Sequence, residues 1–179
     1  YSRESFEKGV VKIKRRLSEL SPGLTDVDED NVLSNIGEFE FVFYFMKAAT
    51  TKDDREIFLT RSFNSKLRKT WFDQFGGIKL FRDNFRVRPY GELNGPAFDW
   101  LRLGERASRS PAGIGKKDGG WRVRPNQITG IINISRLTNI DFEDTSSRYG
   151  LQENKTLSYF IQIITGILGE FEKDRSYIG

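Results

Sequence analysis

A carboxylate, several hydroxyls and one guanidinium are concentrated in segment 144–151, and these groups suit the binding of an anion. Asp144, Thr145 and Ser146 are all favourable N-cap residues, so the segment predicts a helical turn whose free N–H groups attract an anion. Arg148 would lie in that first turn, where a cation opposes the helix dipole unless a phosphate sits beside it. The alternative is a surface arginine paired with a neighbouring glutamate, and the residues of the segment do not decide between the two.

Basic residues are grouped on three further stretches of the chain. The first group is Arg82, Arg86 and Arg88. Arg86 and Arg88 share one face of a predicted strand, and Tyr90 and Trp121 are nearby in sequence, so these residues could form a nucleic-acid-binding surface. The other groups are Arg102, Arg106 and Arg109, and then Lys116, Lys117, Arg122 and Arg124. A solvated sheet face and a mobile basic loop are the alternative, which the small net charge of +4 favours.

Two other patterns resemble ligand sites but lack the necessary chemistry. The glycine-rich stretch 113–120 has Lys117 where a phosphate loop needs serine or threonine, so we expect a flexible surface loop. Acidic residues are grouped at 53–54, 26–30 and 141–144. The first two groups are interpreted as solvated loop charges. The group at 141–144 follows a strand, where a divalent ion could bind, but it lacks the regular spacing and the glycine of a calcium loop, so we predict no metal site.

Composition excludes several classes of chemistry. The 179 residues include no Cys and no His, which removes disulfides, thiolate nucleophiles, cysteine zinc sites and imidazole acid–base catalysis. No apolar run approaches the roughly 20 residues that span a bilayer, and the polar residues 1–4 are not typical of a signal peptide. We therefore expect a cytoplasmic protein without a membrane partner. Because the chain lacks an initiator methionine and begins within a predicted helix, we expect a piece of a longer protein.

Hydrophobic periodicity predicts the elements that position these residues. The predicted helices are 6–20, which ends at Pro22-Gly23, then 62–75, a short piece near 99–101 within the loop 94–126, and 157–171. The predicted strands are 39–46, 56–60, the hairpin strands 78–82 and 85–88 around Asp83-Asn84, and 127–135. The acidic stretch 25–31 is interpreted as a loop or linker. This order predicts an α+β fold, a two-layer sandwich of a mixed sheet with helices on one face.

Three stretches, taken together, resemble a known family. They are Gly77 to Glu92, which contains the hairpin, then Asp99 to Gly104 with Pro125 to Gly130, and finally Asp144 to Asn154. In this order and spacing, residues 77–155 resemble the region that follows the nucleotide-binding domain in bacterial ATPases of the GHKL superfamily. That superfamily includes the gyrase B subunit, the ninety-kilodalton heat-shock chaperone, histidine kinases and the mismatch-repair ATPases.

The resemblance implies a fold and a function for the chain. Residues 35–179 would form a transducer or middle domain with the ribosomal-protein-S5-domain-2-like fold and its left-handed βαβ crossover. Residues 1–34 would be the helix and acidic linker that leave a preceding nucleotide-binding domain. In the chaperone branch, an arginine in the matching Ser-Arg motif reaches the γ-phosphate of ATP, which assigns that role to Arg148, with Ser146 and Ser147 beside it.

The motifs that form an ATP pocket in this family are absent from the sequence. They are the asparagine-bearing helix for magnesium, the aspartate motif for adenine and the glycine-rich lid. ATP and magnesium would therefore reach the chain only through the preceding domain, which is the expected partner. A second copy of the parent, in a homodimer, is the other candidate partner. The alternative function is a non-enzymatic module that binds nucleic acid or protein through the basic hairpin and loop.

Overall fold

The computed structural model describes residues 13–46, 65–110, 120–146 and 149–178. Their helices are α1 (Leu17–Leu20), α2 (Glu29–Ile36), α3 (Ser65–Phe75), α4 (Leu103–Arg109) and α5 (Lys155–Ile178), with 3-10 turns at Pro22–Leu24 and Pro125–Gln127. Their strands are β1 (Glu40–Phe45), β2 (Gly77–Arg82), β3 (Phe85–Val87) and β4 (Ile128–Ile134). The predicted α+β class and mixed sheet are confirmed, whereas the particular transducer topology stays a prediction.

The strands form one sheet in the order β1-β4-β2-β3. β1 pairs antiparallel with β4, β4 pairs parallel with β2, and β2 pairs antiparallel with β3. Because β2 and β4 are parallel, their carboxyl ends, Arg82 and Ile134, face each other in register at one edge of the sheet. The residues that follow these two ends are therefore brought together in space, although about fifty positions separate them in sequence.

The predicted hairpin is confirmed. β2 and β3 are joined by Asp83 and Asn84, whose φ angles of 48° and 69° are the left-handed values of a two-residue hairpin turn. Aspartate and asparagine tolerate this conformation better than other non-glycine residues. β3 is an edge strand that ends at Val87, as the following Pro89 predicts, since proline cannot donate to a further ladder.

The hydrophobic core lies between the sheet and α5. The alternating phenylalanines of β1 face this helix, and Phe43 contacts Phe171 edge-to-face with ring centroids 5.3 Å apart. Phe39 contacts the fully buried Phe160 in the same way at 5.1 Å. The aromatic face predicted for β1 therefore packs against the apolar face predicted for α5, which confirms both sequence predictions.

The amino-terminal region differs from its prediction. Residues 13–16 are not helical, and the helix that contains Leu17 spans only Leu17–Leu20; the predicted residues 6–12 lie outside the described ranges. The stretch 25–31, interpreted as an acidic loop, contains the start of α2, because the Asp28 carboxylate accepts a hydrogen bond from the N–H of Asn31. That assignment is wrong for residues 29–31, since the acidic side chains of Glu29 and Asp30 favour a helix amino terminus.

Apolar side chains from both sides of the predicted boundary at residue 34 belong to one core. Leu17, Leu24 and Val32 precede that boundary, and they share a buried cluster with Ile36 and Phe160. The described part of that segment, residues 13–34, therefore packs on the same core as the rest of the described chain. Its origin in a preceding domain stays a prediction.

The short helix in the 94–126 loop begins later than predicted. α4 starts at Leu103, because the carboxylate of Asp99 accepts hydrogen bonds at 2.8 Å from the N–H groups of both Leu103 and Gly104. Asp99 is thus a cap that lies outside the helix rather than a member of it. Residues 99–101 form turns instead.

Several predicted features fall outside the described residues. They are the strand 56–60, the start of the helix 62–75, and most of the glycine-rich stretch 113–120. The described part of the 62–75 helix and the strand 127–135 agree with their predictions to within a few residues at each end, and the final helix contains the predicted 157–171 but extends to Ile178. None of the helices in the described ranges is long and apolar enough to cross a membrane.

Two glycines in α5 give a matched stability prediction. A Cβ on Gly166 would lie 2.7 Å from the Cβ of Leu20 and 2.8 Å from its carbonyl oxygen, so the close approach of α1 requires a glycine here. A Cβ on Gly169 would meet no described atom nearer than Arg106 Nη2, at 4.0 Å. We expect Gly169→Ala to raise the free energy of unfolding by up to about 1 kcal/mol through helix propensity.

The same gain in propensity at Gly166 should be outweighed by the clash, so Gly166→Ala should lower the free energy of unfolding by about 1–3 kcal/mol. Urea titrations followed by circular dichroism measure both values. Equal effects of the two substitutions would contradict the packing of α1 against α5.

Candidate anion-binding groove

The two ends of the segment 144–151 contact each other. Asp144 and Leu151 pair as an antiparallel bridge, and the N–H of Thr145 donates to the carbonyl of Gly150 at 3.0 Å. Gly150 has a φ of +94°, which lets the chain reverse at this point. Residues 144–146 and 149–151 are not helical, and the part of the predicted turn that contains Ser147 and Arg148 lies outside the described residues.

The helix amino terminus lies further along the chain. α5 begins at Lys155, and the side chain of Asn154 accepts from the N–H of Leu157 at 2.8 Å. The good N-cap residues of the loop were a misleading signal, because the same hydroxyl and carboxylate groups also stabilise turns. The Thr145 hydroxyl, for example, accepts from the N–H of Tyr149 at 3.0 Å.

The base of this loop is attached to the hairpin. Arg82, at the end of β2, is only 6% exposed, and its Nη1 lies 2.7 Å from Asp144 Oδ1. Its Nη2 donates to the carbonyl of Phe142. A buried arginine with a carboxylate partner is costly to leave unpaired, so this contact holds the start of the loop against the sheet.

The end of the loop is attached through Tyr90. The Tyr90 hydroxyl accepts from the N–H of Leu151 at 3.0 Å, and burial raises the pKa of this hydroxyl. The Tyr90 ring packs on Trp100 with centroids 4.8 Å apart, and Trp100 Nε1 donates to the carbonyl of Ile78. Tyr90 therefore joins the hairpin, the turn before α4 and the 144–151 loop.

Gly91 allows Tyr90 to reach this position. Its φ is +69°, and a Cβ on it would lie 2.1 Å from the carbonyl oxygen of Ile78. The backbone after β3 thus runs directly over β2, at a distance that no other residue type permits. This close approach explains why a glycine follows Tyr90.

Ser147 and Arg148 lie outside the described residues, so the predicted role of Arg148 is not tested by any contact. Ser146, which precedes them, and Tyr149, which follows them, are both exposed. Both ends of the loop that contains Arg148 are held to the sheet by the contacts of Arg82 and Tyr90.

An open groove of about 700 Å³ lies between the hairpin and this loop. It is lined by the basic residues Arg82, Arg86, Arg88 and Arg136, by the acidic residues Asp83 and Asp144, and by Phe85, Val87 and Tyr149. We call it the basic groove. It lies at the edge of the sheet where the parallel strands β2 and β4 end, a position at which open sheets commonly bind ligands.

Arg86 is a partly buried cation of the basic groove. Its Nη2 donates to the carbonyl of Tyr90 at 2.9 Å, and its guanidinium lies 5.7 Å from the centroid of the Phe81 ring. Burial, together with repulsion from Arg88, lowers the pKa of Arg86, while Glu92 opposes the change. Its Nε is buried with no hydrogen-bond partner among the described residues.

The exposed cations of the basic groove are Arg88 and Arg136. Arg88 Nε lies 3.2 Å from Glu92, in a surface contact between residues four apart. Arg136 is 3.8 Å from a carboxylate oxygen of Asp144 and 4.0 Å from one of Asp83. Exposed and long contacts of this kind contribute little to stability, so both guanidinium groups can exchange these partners for another anion.

The other arginines of the predicted nucleic-acid surface, Arg122 and Arg124, do not line this groove. Arg122 Nε lies 3.6 Å from the buried Glu172, and Arg124 is exposed beside the 3-10 turn Pro125–Gln127. Lys116 and Lys117 lie outside the described residues. The structure thus brings together Arg86 and Arg88 and separates them from Arg122, which takes part in a structural ion-pair cluster.

The acidic groups act as caps and ion-pair partners where they are described. Asp28 caps α2, and Asp144 pairs with Arg82. Among the described residues, no group of three or more His, Cys, Asp or Glu side chains is arranged to hold a metal ion.

Phe85, Arg136 and Tyr149 are among the residues of the basic groove that sequence reasoning missed. The sequence placed Arg136 directly after the predicted strand 127–135. It could not place Arg136 near the hairpin, because that closeness depends on the parallel pairing of β2 and β4. The groove presents guanidinium groups beside exposed aromatic rings, which suits a ligand that carries both negative charge and a planar apolar part. No protein-family model, curated protein or solved structure matches the chain.

Proposed function

We propose that the chain is the transducer, or middle, domain of a GHKL-type ATPase and couples ATP binding in a preceding domain to a conformational change. Three sequence stretches carry the resemblance to that superfamily, and Tyr90 contacts all three. It belongs to the first, packs on Trp100 of the second, and bonds Leu151 of the third at 3.0 Å. This convergence supports the proposal, because motifs that act together must be held together.

Arg148 is the residue proposed to sense the nucleotide. A γ-phosphate carries negative charge that a planar guanidinium binds through two parallel hydrogen bonds. The attachment of the loop at Asp144 and Leu151 supports this role, because a loop with fixed ends loses less conformational entropy when its tip binds a ligand. Arg148 would bind only when the two domains dock, and hydrolysis would release it.

The test is ATP turnover by the intact parent protein that carries Arg148→Ala. We expect turnover to fall by about tenfold or more, because an arginine that stabilises a transferring phosphoryl group contributes on the order of 10³ in related reactions. Arg148→Lys should recover only part of the activity, since lysine keeps the charge but not the bidentate geometry.

Arg109→Ala in the same parent is the matched control. Arg109 is exposed, pairs with Glu105 on its own helix and lines no part of the basic groove. It should leave turnover unchanged. Unchanged turnover and unchanged nucleotide-driven domain closure in Arg148→Ala would refute the proposed role.

A further inference from the structure

Two exposed arginines border the basic groove from different parts of the chain. Arg88 follows β3 and is 70% exposed at its side chain, and Arg136 follows β4 and is 72% exposed. Their partners in the fold are exposed or distant carboxylates, as described above. Guanidinium groups placed this way contact successive phosphates along a flexible chain.

Two exposed aromatic rings line the same groove. Phe85 begins β3 and is 78% exposed, although phenylalanine is usually buried, and Tyr149 is 51% exposed. Neither ring contributes to the hydrophobic core cluster. Exposed rings beside guanidinium groups offer flat surfaces on which unpaired bases stack.

The acidic residues of the groove do not cancel its positive charge. The carboxylate of Asp83 accepts from the backbone N–H of Arg136 at 3.3 Å, and Asp144 is paired with the buried Arg82. Four arginines line the groove against these two aspartates, so the surface is net positive. The balance favours a polyanion over a neutral or basic ligand.

We propose that the basic groove binds single-stranded nucleic acid, with Arg88 and Arg136 on phosphates and with Phe85 and Tyr149 stacked on bases. Stacking distinguishes this ligand from an acidic polypeptide, which would use the arginines but not the rings. It also distinguishes a single strand from a duplex, whose bases are already stacked on each other. This inference does not depend on Arg148 or on ATP binding by a preceding domain.

The test measures binding of the 179-residue chain to a fluorescein-labelled oligothymidylate of about 12 nucleotides by fluorescence anisotropy. Affinity should fall steeply between about 50 and 200 mM salt. The double variant Arg88→Gln/Arg136→Gln should reduce the slope of log affinity against log salt by about 1.4, because each lost phosphate contact removes roughly 0.7.

The aromatic variants give a different signature. Phe85→Ala or Tyr149→Ala should weaken binding by about fivefold or more and leave the salt slope unchanged, since stacking releases no counterions. Arg109→Gln/Arg124→Gln removes the same charge from exposed arginines outside the groove and should change neither quantity by much. Thermal unfolding of each variant establishes that the fold is retained.

Several outcomes would overturn the proposal. They are no binding at low salt, tighter binding to a duplex of the same length, stronger competition by polyglutamate than by unlabelled oligothymidylate, and an equal loss in the control double variant. The last result would assign any binding to overall charge and not to the groove.

Discussion

Glu172→Ala is expected to lower the free energy of unfolding by about 3–5 kcal/mol, the range for removal of one partner from a buried ion pair. Glu172 is on α5 and is fully buried. Its carboxylate accepts from the N–H of Val123 at 2.9 Å and from Arg106 Nη2 at 3.0 Å, with Arg122 Nε at 3.6 Å. Alanine would leave the buried N–H of Val123 without its acceptor and would remove the carboxylate that Arg106 donates to, which is why a large effect is expected.

Urea unfolding followed by tryptophan fluorescence measures this loss, since Trp121 is buried beside the cluster. Glu105→Ala is the control: Glu105 pairs with Arg109 on the surface of α4, and both side chains are exposed. Its removal should cost less than about 1 kcal/mol. Equal losses in the two variants would show that burial does not govern the Glu172 contacts.

The Glu172 carboxylate should also make the stability of the fold depend on pH. Burial raises the pKa of Glu172 above its usual value, although Arg106, Val123 and Arg122 oppose the shift. The folded chain then holds this proton more tightly than the unfolded chain, so the group stabilises the fold most in acid. Relative to Glu172→Gln, the stability of the wild type should decline as pH rises from the ordinary glutamate pKa through the raised one.

Asn139→Ala should lower the free energy of unfolding by about 2–4 kcal/mol, because it leaves several buried backbone groups without partners. Asn139 is 1% exposed and lies in the loop after β4. Its amide nitrogen donates to the carbonyls of Ile36 and Glu38, and its amide oxygen accepts from the N–H of Ser135 at 2.7 Å. The Asn139 side chain therefore joins the α2–β1 connection to the carboxyl end of β4.

Asn133→Ala is the matched control, measured by the same thermal and urea unfolding. Asn133 is on β4, and its amide donates to the side chain of Glu40 at 2.7 Å on the exposed side of the sheet. Loss of this surface contact should change stability by less than about 0.5 kcal/mol. If Asn139→Ala were as mild as Asn133→Ala, the connection between α2 and β1 would not depend on this amide.

Local patterns predicted the elements whose signals lie within a few residues of each other. The alternating phenylalanines of β1 and the Asp83-Asn84 turn are examples, because period-two burial and left-handed φ angles are properties of neighbouring residues. The start of α4 was misplaced for a related reason. An aspartate can be the first residue of a helix or can cap a helix from outside it. Only the hydrogen bonds that the Asp99 carboxylate accepts from Leu103 and Gly104 distinguish the two positions.

The same ambiguity affected the 144–151 loop. Asp144, Thr145 and Ser146 favour a helix amino terminus in isolation, but the pairing of Asp144 with Leu151 and with Arg82 fixes the start of the segment as a bridge. Those contacts join residues as far as 62 positions apart, so no local pattern encodes them. The role of Arg148 stays a prediction from the resemblance.

By itself the sequence determined the α+β class, the hairpin, the strand with an aromatic face and the amphipathic final helix, because each depends on the spacing of side chains along one segment. The tertiary structure alone decided that Arg88 and Arg136 share a groove with Phe85 and Tyr149, and that Arg122 belongs to the Glu172 cluster. The physical reason is the parallel pairing of β2 with β4, which brings the ends of two distant strands to one edge of the sheet.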